Sequence, residues 1–313
     1  MRHLILTAIV VGLGAMAALG QAAPTGQAAA TQPRSGLAWQ IALEREGFSP
    51  GILDGKAGRK TALATEAFQR FSGLPVTGKL DEATAGALKL PEQPVGAYTI
   101  TADDAQRVTG IPSDWVARSE LAYAGYDSLA DLVAEKFHCT QGLLAGLNPG
   151  LNLAHLQAGD TLRAPVPEAG APRRAERLDI DLSNKIIRAL DGQGRVVGLL
   201  YCSVAAEVAK RPSGDTTVTV VVTNPEYLFD PEHWPEVHGI GRKLTIQPGP
   251  RNPVGLCWIG LDLPGYGMHG SPRPEQIGKT GSHGCFRLAN WDALRLAGMI
   301  GAGTPVHFSA AGN

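Results

Sequence analysis

The sequence predicts an α+β multidomain protein: a small three-helix N-terminal module, a βααβ segment, and a mainly-β, sandwich-like C-terminal domain. Three observations predict it. Apolar residues recur at helical spacing as far as Leu147. From Arg177 onward they alternate or run in short β-branched stretches. Clusters of Gly, Pro, Asn and Asp separate the pieces. A chain of 313 residues has room for two or three domains.

Composition narrows the function classes. Charged residues make up 18 % and hydrophobic residues 44 %, an ordinary globular balance. The 28 Lys+Arg and 29 Asp+Glu leave a net charge of −1 with no like-charge run. Nothing therefore favours a nucleic-acid groove or a polybasic membrane contact. Residues 1–23 read as a signal peptide: Arg2, the apolar "LILTAIVVGLGAMAALG", then small residues with cleavage near Ala22 or Ala23. The apolar run is short and glycine-rich for a membrane span, and no second one follows. The expectation is an exported, periplasmic protein with no membrane span after cleavage.

Residues 24–35, rich in Ala, Gln, Thr and Pro, read as a linker. "LAWQIALEREGF" places Leu37 and Ile41 at helical spacing and stops at Gly47, and "TALATEAFQRFSGL" does the same with Ala64, Phe68 and Phe71. Asp81 is the expected N-cap of a third helix, "EATAGAL". The order of turn, helix and "GLPVTGKLD" over residues 36–90 resembles the peptidoglycan-binding module of cell-wall enzymes. Residues 91–119, Pro-rich at first, are expected to be a connector. Ser128 and Thr140 are expected caps of two helices, carrying Leu129, Leu132, Val133 and Phe137, then Leu143, Leu144 and Leu147. A Gly159-Asp160 turn leads into the extended "TLRAPV". With "LNPGLN", residues 120–167 resemble a LysM-like module, with a first strand expected in "ELAYAGYDSL".

The strands then come in order. "RLDIDL" alternates Leu178, Ile180 and Leu182 inward; "KIIRAL", "RVVGLLYCSV" and "TTVTVVV" follow. Long loops interrupt from Asn224 to Pro235 and from Pro248 to Pro253, the kind of loop that carries function on a strand scaffold. Asn290 is the expected cap of a helix in "WDALRLAGMI", and "PVHF" is a last strand.

The chemistry concentrates in "MHGSPRPEQIGKTGSHGCFRLAN", where Cys285 lies 285 − 269 = 16 residues after His269 and two after His283. Zinc is one reading, with His269, His283 and Cys285 as ligands and His238 or Cys257 as a fourth. No Cys-x-x-Cys or His-x-x-x-His pair supports it. A disulfide is another, since an exported chain holds an even number of cysteines: Cys139, Cys202, Cys257 and Cys285. If Cys285 works as a thiol, at least one of the other three is unpaired. Cys202 and Cys257, in strand-like runs, read as buried small hydrophobes. A nucleophile accounts for more of the residues. A histidine can take the thiol proton, Gly281 and Gly284 can let backbone near a reacting carbonyl, and Arg287 can fork onto a carboxylate. Spacing alone leaves the two histidines equivalent.

The same stretch, with "NPVGLCWIGLD" upstream, resembles the signature of the L,D-transpeptidase catalytic domain family over residues 177–308. His269-Gly270, Ser282-His283-Gly284-Cys285 and Arg287 fall on its pattern, with Phe286 where an aliphatic residue is commoner. The resemblance implies a sandwich-like domain with Cys285 as nucleophile. It implies His269 as proton donor and acceptor, oriented by the Gly270 carbonyl. It places Gly270, Ser282, His283 and Gly284 at the oxyanion and substrate site, with backbone amides of His283, Gly284 and Cys285 as the donors, and Arg287 at the site or the substrate carboxylate. It implies no metal and no organic cofactor. The partners would be peptidoglycan peptide stems and glycan. The reaction would be thioester formation with loss of D-alanine, then attack by an amine. Water at the same step would make an L,D-carboxypeptidase, and a free D-amino acid would make an exchange enzyme. A non-catalytic wall-binding protein on the same fold is the alternative of a different class.

Overall fold

The computed structural model describes residues 36–167, 170–234 and 237–309. The expected signal peptide and linker lie outside the described residues. The three expected helices of the first module are α1 (Gly36–Arg45), α2 (Arg59–Phe71) and α3 (Glu82–Leu88). Asp81 caps α3, its carboxylate accepting from the Thr84 amide at 2.8 Å. The turn between α2 and α3 is tied by one buried side chain. Gln69 accepts from the amides of Thr77 and Gly78 and donates to Thr84 Oγ1.

The second module corrects the expected boundaries. Its first strand does not lie in residues 120–128. Strand β1 (Val95–Thr99) pairs antiparallel with β2 (Thr161–Pro165), Tyr98 opposite Leu162. The supposed connector 91–119 therefore holds β1 and two short helices, α4 (Ala102–Gln106) and α5 (Trp115–Ser119). "VGAYT" hid its strand character because it is half-exposed and carries Gly and Ala rather than alternating apolar residues. Helices α6 (Leu129–Lys136) and α7 (Gln141–Leu147) lie where expected, capped by Ser128 and Thr140.

The C-terminal domain is built on strands β3 (Arg177–Asp181), β4 (Ile186–Leu190), β5 (Val196–Tyr201), β6 (Gly214–Thr223), β7 (Tyr227–Phe229), β8 (Leu244–Ile246), β9 (Cys257–Leu261), β10 (Gly267–His269) and β11 (Phe286–Arg287), then helix α8 (Asn290–Ala297) and strand β12 (Pro305–Ser309). Eight of them form one continuous sheet in the order β11-β10-β9-β6-β12-β3-β4-β5, while β7 and β8 make a separate hairpin. The expected sandwich is thus a single curled sheet. Strand β6 serves both halves, pairing with β12 through Thr217 and with β9 from Val218 on, with a register shift between Val218 and Val220. One apolar core results, joining Leu178, Ile180 and Ile187 to Val218, Ile259, Met268 and Phe286. Cys139, Cys202 and Cys257 are buried, and all four cysteines are unpaired thiols.

Both N-terminal modules pack onto this domain. Residues 47–49 run beside β5, the sheet's last strand: Leu199 N–H donates to Gly47 O at 3.1 Å and Ser49 N–H to Leu199 O at 2.8 Å. An otherwise open sheet edge is so covered. Leu53 pairs in the same way with Cys139 of the second module. Among the described residues no helix is long and apolar enough to cross a membrane.

Candidate active site

Strand pairing brings the expected residues together. Strands β10 and β11 are parallel, with Met268 opposite Phe286 and His269 opposite Arg287. Met268 and Phe286 point into the core. Side chains alternate along a strand, so His269 and Arg287 face the other way, and Cys285, one residue before Phe286, joins them. The histidines that spacing could not separate now differ. His269 is buried at 7 % exposure with Nδ1 2.6 Å from the Gly270 carbonyl. His283 is exposed, and its ring meets Trp234 edge-on at 5.1 Å.

A carbonyl only accepts, so Nδ1 carries the proton and the Nε2 lone pair is left for proton transfer. Burial lowers the His269 pKa to about 4, with the Gly270 carbonyl opposing and the Arg287 charge adding to the depression. Burial also pushes the Cys285 thiol above its ordinary value. Its Sγ lies 3.6 Å from the Gly265 carbonyl, a contact that suits an S–H donor. Both shifts favour the neutral forms, thiol and imidazole, over thiolate and imidazolium.

The remaining site residues hold the turn. Ser282 Oγ donates to the Cys285 carbonyl at 2.6 Å and accepts from the Gly284 amide at 3.3 Å. Arg287 Nη2 donates to Thr280 Oγ1 at 3.0 Å and to the carbonyls of Thr280 and Gly281. The guanidinium clamps the loop ahead of Ser282, and among the described residues its buried Nε has no partner. The reason given for the glycines changes. A Cβ on Gly281 would lie 2.4 Å from the Ala206 Cβ, so Gly281 serves packing. Gly284 has ordinary clearance, its nearest neighbour being Tyr266 at 3.7 Å. Gly270 is the steric requirement near His269, since a Cβ there would reach within 2.2 Å of Asn290 Oδ1. As for zinc, no group of three His, Cys, Asp or Glu side chains among the described residues is arranged to hold a metal ion.

Several residues of the site were not legible in sequence. Trp258, opposite His269 on β9, stacks on its ring at 5.9 Å. Alternation with buried Cys257 in "LCWIG" is the signal that puts Trp258 on the histidine's face. A cavity of about 410 Å³ opens beside it, lined by Val222, Pro225, Glu226, Tyr227, Val254 and Trp258 among others. Tyr227 and Trp234 belong to the hairpin region beside His283, and the Trp234 indole donates to Tyr227 OH at 3.0 Å. Trp115 of α5 stacks on Phe229 at 4.3 Å, so the second module supports this hairpin. Asn290 is not the cap expected of it. The cap position of α8 is Ala289, and the Asn290 side chain is spent on Leu256 and Glu135.

Residues 175–308 match the family model described as "L,D-transpeptidase catalytic domain", and residues 37–88 match "Putative peptidoglycan binding domain". A protein of Bacillus licheniformis named "Putative L,D-transpeptidase YkuD" is 29 % identical over 175 residues, which are 56 % of this chain and 89 % of that one. "Putative L,D-transpeptidase YqjB" of Bacillus subtilis is 39 % identical over 130 residues, 40 % of this chain and 65 % of that one. A solved L,D-transpeptidase of Xylanimonas cellulosilytica aligns over 93 % of this chain and all of its own, at 19 % identity and a TM-score of 0.37.

Proposed function

We propose that this chain, whose residues 175–308 form an L,D-transpeptidase catalytic domain, is a periplasmic peptidoglycan cross-linking enzyme with a cysteine nucleophile. One arrangement carries the reading. His269, Arg287 and Cys285 lie on the same side of a parallel strand pair, and His269 Nδ1 is committed to the Gly270 carbonyl.

With both groups neutral at rest, Cys285 attacks the carbonyl between the L-centre of a diamino acid and the terminal D-alanine as His269 Nε2 takes the thiol proton. The oxyanion is met by backbone amides of the His283–Cys285 turn, which Ser282 holds from inside. His269 returns the proton to the departing D-alanine amine, leaving a thioester on Cys285. An amine of a second stem then attacks the thioester while His269 takes its proton, and a cross-link forms with free thiol restored. Arg287 holds the turn, and burial, with the Arg287 charge adding to it, keeps His269 neutral between steps. No step calls for a metal or organic cofactor. Peptidoglycan as the partner also follows from the match at residues 37–88. The two-stranded, two-helix core of the second module suits a LysM-like glycan contact, which a pull-down on insoluble peptidoglycan would test.

The test incubates the purified protein with disaccharide-tetrapeptide and weighs the products. Dimers or exchanged D-amino acids are expected, and both should vanish in Cys285→Ala and His269→Ala. Turnover in Cys285→Ala would end the mechanism. A product consisting of tripeptide alone would make water the acceptor. The neutral pair has its own check: alkylation of Cys285 by iodoacetamide should reach half-maximal rate above pH 9.0, the ordinary thiol value. A midpoint below 7 would mean a resting thiolate.

A further inference from the structure

The catalytic histidine is oriented by a backbone carbonyl, so its aim is only as good as the backbone that carries Gly270. That backbone is held in an unusual way. Asn290 Oδ1 accepts from the Leu256 amide at 3.0 Å. Gly255, at φ +62°, and Gly270 both press on the same oxygen, so closely that a Cβ on either would lie 2.1 or 2.2 Å from it. The Gly270 amide in turn donates to Cys257 O at 3.0 Å. The Asn290 amide thus sets the height of two backbone segments behind His269.

What fixes Asn290 comes from another module. Its Nδ2 donates to Glu135 Oε1 at 2.8 Å, with Pro250 O a second acceptor at 3.2 Å. Glu135, on α6, uses its other oxygen for Arg251 Nη1 at 2.5 Å. Arg251 is itself forked onto Asp131, one turn earlier on the same helix, at 2.5 and 3.0 Å. Glu135, Arg251 and Asn290 are all buried, at 7, 6 and 1 % exposure. Backbone bonds from Ala124 to Pro248 and from Arg251 to Ala124 fasten the same loop.

We propose that Glu135, supplied by the second module, is a positioning residue for His269: it holds the Asn290 amide, and Asn290 holds the Gly255–Leu256 and Gly270 backbone from which His269 is aimed. The inference rests on the reading of Cys285 and His269 as the reacting pair. It makes residues 95–165 part of the catalytic machinery and not solely a tether to the wall. Without Glu135, Nδ2 keeps only the longer bond to Pro250, and the amide can turn its oxygen away from Leu256. An error of about 1 Å in a reacting group can cost on the order of a hundredfold in rate.

Two substitutions in the full chain separate positioning from a simple ion pair. Glu135→Gln keeps the reach and the oxygen that Asn290 needs but loses both the charge and the acceptor that face Arg251 Nη1. Glu135→Asp keeps the charge but is one methylene short of Asn290. Acylation of Cys285 by a chromogenic β-lactam gives the rate, and ¹⁵N NMR of labelled histidine gives the His269 tautomer. Positioning predicts a rate within about threefold of wild type for Glu135→Gln and a fall of about tenfold or more for Glu135→Asp, with a weakened Nδ1–H signal. The reverse order, or unchanged rate and tautomer in folded Glu135→Asp, would overturn the proposal. Loss of acylation in folded Glu135→Gln would do so as well. If the wild-type protein forms no adduct on Cys285, the proposed function fails, and the His269 signal in the two variants still decides the positioning.

Discussion

Phe48 and Arg251 mark the two places where an N-terminal module meets the C-terminal domain, and the chemistry at each is different. Around Phe48 the contact is apolar: Leu43, Phe68 and Leu88 of the first module pack against Ile186, Leu199, Tyr201 and Ile277. This face covers the β5 edge, last in the sheet order from β11, while the residues that follow β5 close back on the site, Ser203 exchanging backbone bonds with Arg287 at 2.8 and 3.1 Å. Around Arg251 the contact is ionic and hydrogen-bonded, with the Trp115 stack nearby, and it bears on loops that reach His269 and the hairpin. Apolar burial is nondirectional and stabilises without fixing an angle. Paired charges and amides contribute less net stability but specify geometry. The first interface should therefore govern whether the protein stays folded, and the second how well it reacts.

The largest expected effect breaks the first interface. Phe48→Ala removes a fully buried ring packed on Phe68 and should cost about 3–5 kcal/mol of stability, measured by denaturant unfolding. Below its unfolding transition its rate of Cys285 acylation should match wild type. A matching loss of rate would dissolve the contrast.

Next comes the buried junction where all three modules meet. His138 pairs with Glu44 and stacks on Trp291 at 4.7 Å, while Ser49 Oγ donates to Asp292 at 3.0 Å. Burial foremost, with Glu44 adding repulsion, raises the Asp292 pKa from 3.8 to about 7. A raised acid binds more protons folded than unfolded, so its contribution to stability is present below pH 3.8 and falls as pH rises to about 7. Relative to Asp292→Asn, wild type should lose a few kcal/mol across that window, at about 1.4 kcal/mol for each pH step of one. Comparing the two proteins cancels the opposite trend of His269. A constant difference between pH 4 and 8 would mean that Asp292 titrates normally.

Smaller still is the aromatic part of the second interface. Trp115→Ala deletes a half-buried ring stacked on Phe229 and should cost about 0.5–1.5 kcal/mol beyond its area, read as a modest fall in Tm. The hairpin carrying Tyr227 and Trp234 loses support, so KM for the tetrapeptide donor should rise more than kcat falls. Equal falls in both would detach the hairpin from substrate binding. As the weakest case, Glu66→Gln removes an exposed i,i+4 pair with Arg70 and should change stability by less than about 0.5 kcal/mol and activity not at all.

Much of the molecule was legible in sequence because its causes are local. Asp81, Ser128 and Thr140 cap their helices through amides three residues on, a distance any sequence reader can span. Leu178, Ile180 and Leu182 turned inward as their alternation required. The motif from His269 to Arg287 marked the candidate residues by type, and the structure gathers His269, Cys285 and Arg287 on one side of β10 and β11. Strand β1 escaped because a half-exposed strand with Gly and Ala leaves no apolar period, and its partner β2 lies beyond four helices. Asn290 was misread because a cap needs only its neighbours, whereas its actual acceptor on Glu135 is 155 residues away.

By itself, then, the sequence determined the local elements, the order of the modules and the identity of the chemical groups, since each depends on residues within a few positions. Spacing left the two histidines equivalent, and the parallel register of β10 on β11 is what puts His269 on the same side as Arg287 and Cys285. The tertiary structure also decided that Glu135 of the second module holds Asn290, which in turn holds the Leu256 amide. Bonds of that kind form only when distant segments pack, and no local pattern encodes them.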